Sequence, residues 1–430
     1  MFKRSRKVTG LIGLALIMAL VGAACGEDSP DEGAADETTS TQAAAGEAEQ
    51  TAATGSTTGA ATLRAGLTGL LSEHVYLAAL ATGAALRGDN AAFEAYAAAL
   101  NGPTNSNTAD IVAGMTAAYG DEVGKAFDGL WRSNGHIPAF VAYTQAIAKD
   151  DKAGADKAVA DLLAYAKTFG TTINSVNANL PAAAVEEGIK MHATTLKAVI
   201  DAQKAGDAAA VYTSLRAAYH HMDELGNTLA GATAKQFPDK FDGDAASPAS
   251  GLRSTLTSLL REHVLLAASA TGAALRGDTA SFEAAAAALN GPTGSNTADI
   301  VAGVTSVYGD EVGKAFDGLW RSNGHISAFV AYTQAIAKDD KAAADKAVAD
   351  LLAYAKTFGE TMNSVNENLP AAAVEEGIKM HATTLKAVID AQKAKDAPAM
   401  ATSLRMAVSH MNEPADAIAA ATEKKFPEKF

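Results

Sequence analysis

Residues 181–205 read PAAAVEEGIKMHATTLKAVIDAQKA, and the same stretch recurs at 370–394. Within it Val185, Ile189, His192, Leu196 and Val199 fall at three- and four-residue intervals. That is the apolar stripe of an amphipathic helix, with a histidine inside the stripe. Pro181 suits the first turn of such a helix, since it lacks an amide proton that the turn does not need. Gly188, one turn before His192, leaves room above the ring. The stretch therefore announces three things: a helix, a duplication and a histidine facing a core.

The duplication extends in both directions at a constant offset of 189 and without a gap, from Leu63 through Phe241 onto Leu252 through Phe430. GAALRGD at 83–89 returns at 272–278, and KAFDGLWRSNGHI at 125–137 returns at 314–326. Helical periodicity fills each copy. Leu63, Leu67, Leu70, Leu71, His74, Leu77, Ala78 and Ala81 form one stripe, which Gly88-Asp89 ends. Asp89 and Asp150-Asp151 are placed to open helices. A helix from Ile137 is expected to run on from its predecessor through Asn134-Gly135. Aromatic residues are 6% of the chain and strong helix formers dominate, which argues against a β fold. The expected fold class is all-α: two tandem antiparallel helical bundles at 63–241 and 252–430, joined by a linker at 242–251.

The N-terminus reads differently. Lys3, Arg4, Arg6 and Lys7 precede an apolar stretch from Leu11 to Ala24, the pattern of a signal peptide over 1–24. Cys25, the only cysteine, follows Gly22-Ala23-Ala24 and resembles a bacterial lipobox cysteine, with Gly22 standing where a branched apolar residue is usual. The alternative is cleavage at an Ala-x-Ala-like site that leaves a free thiol. Residues 25–62 are rich in Ala, Gly, Ser and Thr, with eight acidic and no basic side chains after Cys25, and read as a disordered tether. Loss of the leader leaves 31 basic against 49 acidic residues, a charge of -18. The expected product is exported and held at the membrane by a lipid on Cys25, since such a charge gives no attraction to anionic lipid. The same charge excludes nucleic acid as a partner.

Nine histidines carry the functional signal. His74, His136, His192 and His221 recur as His263, His325, His381 and His410, one in each of four helices per copy, while His220 becomes Ser409. Four inward imidazoles on four helices are the raw material of a metal site in a bundle core. Met191 and Met222 repeat beside them as Met380 and Met411, and imidazole with thioether favours a copper ion as the cofactor. Glu73 and Glu262 are possible further ligands, though such residues are more often solvated, and Trp131 and Trp320 read as core or lid. The competing reading is a non-enzymatic structural or interaction module whose histidines are core or pH-responsive residues. Leu225, replaced by Pro414, predicts a break in the last helix of the second copy only.

No catalytic motif is present. No histidine has Glu three residues before it, so the Glu-x-x-His pairs of di-iron bundles are absent, and there is no His-Glu-x-x-His, Cys-x-x-Cys-His, Gly-x-Ser-x-Gly or Walker A pattern. LLxEHVxLAAxATGAAL at 70–86, LWRSNGHI at 130–137, MHATTLKAVIDAQ at 191–203 and the closing FPxKF resemble a helical repeat domain of exported bacterial proteins. Some copies of that domain accompany segments of copper amine oxidase N-terminal type. The resemblance implies an envelope or cell-surface helical domain with histidines at these positions, and no particular activity; the copper label belongs to the neighbouring segments.

Overall fold

The computed structural model describes residues 55–133, 135–322 and 324–430. The expected signal peptide, Cys25 and most of the expected tether lie outside the described residues. Seventeen helices and no strand are found among the described residues, so the fold is all-α.

In the first copy the helices are α1 (Gly59–Leu86), α2 (Asn90–Asn101), α3 (Asn107–Tyr119), α4 (Asp121–Ser133), α5 (His136–Ala148), α6 (Lys152–Val176), α7 (Ala182–Ala205) and α8 (Ala208–Gln236). In the second they are α9 (Pro248–Arg276), α10 (Thr279–Asn290), α11 (Asn296–Tyr308), α12 (Asp310–Ser322), α13 (His325–Ala337), α14 (Lys341–Val365), α15 (Ala371–Ala394), α16 (Ala397–His410) and α17 (Asn412–Lys425). Local chemistry sets the boundaries. Asp89, Asp151 and Asp207 each accept a hydrogen bond from the backbone amide three residues on, opening α2, α6 and α8. Gly206, in the left-handed region at φ +69°, closes α7.

Three boundaries differ from expectation. Helix α1 begins at Gly59, inside the expected tether, because Thr58 caps it by accepting from the Ala61 amide and because Ala60 and Ala61 are fully buried. Helix α9 likewise starts within the expected linker, with Pro248 in its first turn. Helices α4 and α5 are separate, since Gly135 takes φ +122°, which a helix cannot continue through. The expected break in the second copy is present. Helix α16 ends at His410 and α17 begins at Asn412, where α8 runs unbroken through Leu225.

The described residues form one compact unit. At its centre α1 packs on α2, α7 and α8 of its own copy and on α9 of the other. Helix α1 is long and apolar enough to cross a membrane, yet 78% of its apolar window is buried inside the fold, as suits a central core helix. One hydrophobic core runs across the copies, including Val75, Tyr76 and Leu77 from α1 and Val264, Leu265 and Leu266 from α9. The histidines of α1 and α9 thus stand near the middle of the molecule, on its least exposed helices.

Candidate metal centre

Three helices deliver three imidazoles to one point. His74 comes from the middle of α1, His192 from the middle of α7, and His136 from the first residue of α5, aimed by the turn at Gly135. One nitrogen from each lies within 4.8 Å of the others. His136 Nε2 and His192 Nε2 are 3.5 Å apart. Metal–imidazole bonds of about 2.0–2.1 Å would place tetrahedral nitrogens about 3.4 Å apart, so this pair already has the right spacing. His263, His325 and His381 repeat the cluster in the second copy. All six rings are buried.

Burial decides their charge. Desolvation lowers His74 to about 4 and His192 to about 3, and carries His136 well below the ordinary imidazole value, with neighbouring imidazoles adding to the effect on His136 and His192. Asn107, at the start of α3, partly offsets this at His74. The second triad behaves alike: His263 falls to about 4, His381 to about 3, and His325 well below. Six neutral imidazoles at neutral pH offer lone pairs with no proton to displace. The Nδ1 atoms of all six lack any hydrogen-bond partner, an arrangement that costs roughly 1–3 kcal/mol for each group so left.

Aromatic rings fix the triad. His136 stacks on Tyr165 at 5.2 Å between centroids and 14° between planes, and Trp131 meets both His74 and His136 edge-on. Trp131 and Trp320 are thus core residues that also wall the site. A cavity of about 260 Å³ opens from the first triad, lined largely by apolar groups such as Leu71, Phe169, Leu180 and Val185, with Glu224 as its only carboxylate among the described residues.

The fourth histidine stands apart. His221 lines the same cavity, but its Nε2 lies 2.9 Å from the Gly188 carbonyl and its Nδ1 faces Glu224 at 3.7 Å. His410 keeps the matching contact to Gly377 at 3.2 Å, despite the helix break that follows it. Each triad therefore consists of three of the four histidines singled out in its copy. The methionines divide similarly. Met191 and Met380 are exposed at 47% and 44%, off the site, whereas Met222 lines the cavity and Met411 is buried. Glu73 and Glu262 are neither solvated nor ligands. Glu73 accepts from Arg405 Nε at 2.6 Å and Arg261 Nη2 at 2.8 Å, and Glu262 from Arg216 Nε at 2.9 Å.

Sequence reasoning missed Tyr165 and Asn107, together with their counterparts Tyr354 and Asn296. Tyr165 does share a helical stripe with Leu162 and Phe169, but only the fold brings that stripe onto His136. No family model, curated protein or solved structure matches the chain.

Proposed function

We propose that the protein is a metal-binding helical protein that holds one late first-row transition ion in each triad, through His74, His136 and His192 and through His263, His325 and His381. The observation that carries this is the convergence of three neutral, buried imidazoles from three separate helices, found twice in one chain. Neutral imidazole suits zinc, copper, nickel and iron, and the affinity order of the divalent ions makes copper the tightest binder. Met222 in the cavity wall supplies a soft neighbour that adds to the preference. His221 lines the cavity beside its triad, His410 keeps the matching contact to the Gly377 carbonyl, and neither serves as a ligand.

Metal analysis of the full chain, purified without a tag and washed after exposure to copper or zinc, tests the reading. Two ions per chain are expected, one for His192→Ala and none for the double variant His192→Ala, His381→Ala. Near-zero metal with an unchanged melting temperature would overturn it. That outcome would favour packed imidazoles, a reading supported by the stacking of His136 on Tyr165.

Location is part of the proposal. The basic and apolar leader before Cys25 supports export and acylation, which would hold the helical unit at the outer face of a membrane. Cys25→Ser is expected to move the protein from the membrane fraction to the soluble one.

A further inference from the structure

Two buried polar groups beside the first triad have no partner. Trp131 Nε1 and the Tyr165 hydroxyl make no hydrogen bond, although their residues are only 6% and 4% exposed and both line the cavity. Trp320 Nε1 and the Tyr354 hydroxyl are unpartnered in the same way. Native proteins leave few such groups, and each calls for an explanation. Indole N–H can only donate, and burial drives the Tyr165 phenol further up, so that it too stands as a neutral O–H donor. Two unpartnered donors thus stand within the wall of an apolar chamber that the three imidazoles also line.

The inference rests on the metal reading above. Three neutral imidazoles leave a divalent ion with its full charge and an open coordination position. The one carboxylate of the lining, Glu224, is a rim residue with 83% of its side chain exposed, too well solvated to neutralise a buried ion. Charge balance therefore asks for an anion from outside, and the donors ask for an anion with an acceptor atom to spare. The apolar walls refuse a second charge. About 260 Å³ lies below the roughly 300–1,000 Å³ of drug-sized sites, yet above the roughly 150 Å³ in which an apolar cavity holds benzene.

We propose that the cavity binds a small apolar monocarboxylate, one oxygen completing the coordination of the triad-held metal and the other accepting from Tyr165 or Trp131, with the hydrocarbon body against Leu71, Phe169, Leu180 and Val185. His221, held to the Gly188 carbonyl, forms part of the wall at the entrance. The site is then a receptor for a ligand–metal pair, with each component incomplete without the other.

Cobalt(II) reports both steps, because its visible bands respond to the ligand set. The full chain is loaded with cobalt and titrated with benzoate, acetate and benzylamine. Benzoate is expected to shift the bands and to saturate, acetate to bind at least about tenfold more weakly, and benzylamine to leave the bands unchanged. The double variant Tyr165→Phe, Tyr354→Phe is expected to bind the same amount of cobalt and benzoate about tenfold more weakly. A chain that takes up no cobalt overturns the metal reading and this inference with it. A cobalt protein whose bands ignore tens of millimolar benzoate, or that binds acetate as well as benzoate, overturns this inference alone.

Discussion

His192 is neutral in the fold because desolvation outweighs everything else around it, and the same holds for its five counterparts. Each has a folded pKa below the unfolded value of about 6.5, so below that pH the unfolded chain binds more protons. Stability from these groups is complete above about pH 6.5 and is lost as pH falls through about 4 and then about 3. His74 alone accounts for about 3 kcal/mol over that window. The metal-free protein should therefore melt progressively lower between about pH 6.5 and pH 4. Replacing His192 with Leu removes one titrating group and should flatten the dependence. A melting temperature independent of pH in that interval would refute the account.

Helices α7 and α15 have identical sequences but different covers. A side chain built at Gly188 would meet Leu225 Cδ2 at 2.5 Å, whereas one at Gly377 meets nothing within 4 Å, because Pro414 replaces that leucine. Alanine in a helix interior is worth about 1 kcal/mol over glycine where there is space for it. Gly377→Ala should raise stability by up to about that amount, and Gly188→Ala should give no gain, since Leu225 must move away. The helix break makes a companion case. Pro414 is the third residue of α17, a position that needs no amide proton, so the break already absorbs its cost. Pro414→Leu should let α16 and α17 join and cover Gly377, raising stability by about 1 kcal/mol. Thermal melts of the three variants in the full chain check both arguments, and a stabilising Gly188→Ala would contradict them.

Across the whole molecule the copies lean on one another through charge as well as core. Glu73 is buried between Arg261 and Arg405, both from the second copy. Positions that differ between copies have become complementary at this contact. Tyr76, opposite Leu265 in the repeat, meets Ser269, opposite Leu80, at 2.8 Å. Gly69 makes room for Arg261, whose counterpart is Ser72. Glu73→Ala would leave the buried Arg261 guanidinium without its anion, while Arg405 keeps its pair with Asp110, a loss of about 3–5 kcal/mol. Since α1 and α9 each carry a triad histidine, the two copies should unfold together. Calorimetry should find one transition in the native chain, moved down as a whole by Glu73→Ala; a variant in which one copy melts alone would count against this.

Much was legible without coordinates. A three- and four-residue apolar period over nearly every segment dictated helices, because a helix must bury one stripe, and the offset of 189 dictated that the second copy repeats the helices of the first except where Pro414 divides the last. The proline at 414 announced its helix break because proline lacks an amide proton. The histidines were legible as inward-facing, since each lay in or beside an apolar stripe. Which of them meet was not, because convergence depends on how helices distant in sequence pack. Three rings close on one another while His221, equally inward by its stripe, is taken by the Gly188 carbonyl. Glu73 looked like a solvated neighbour of His74, and only the packing of α1 on α9 turned it into the anion of a buried charge cluster. The chamber above the triad exists for the same reason: its walls come from helices that only tertiary packing brings together.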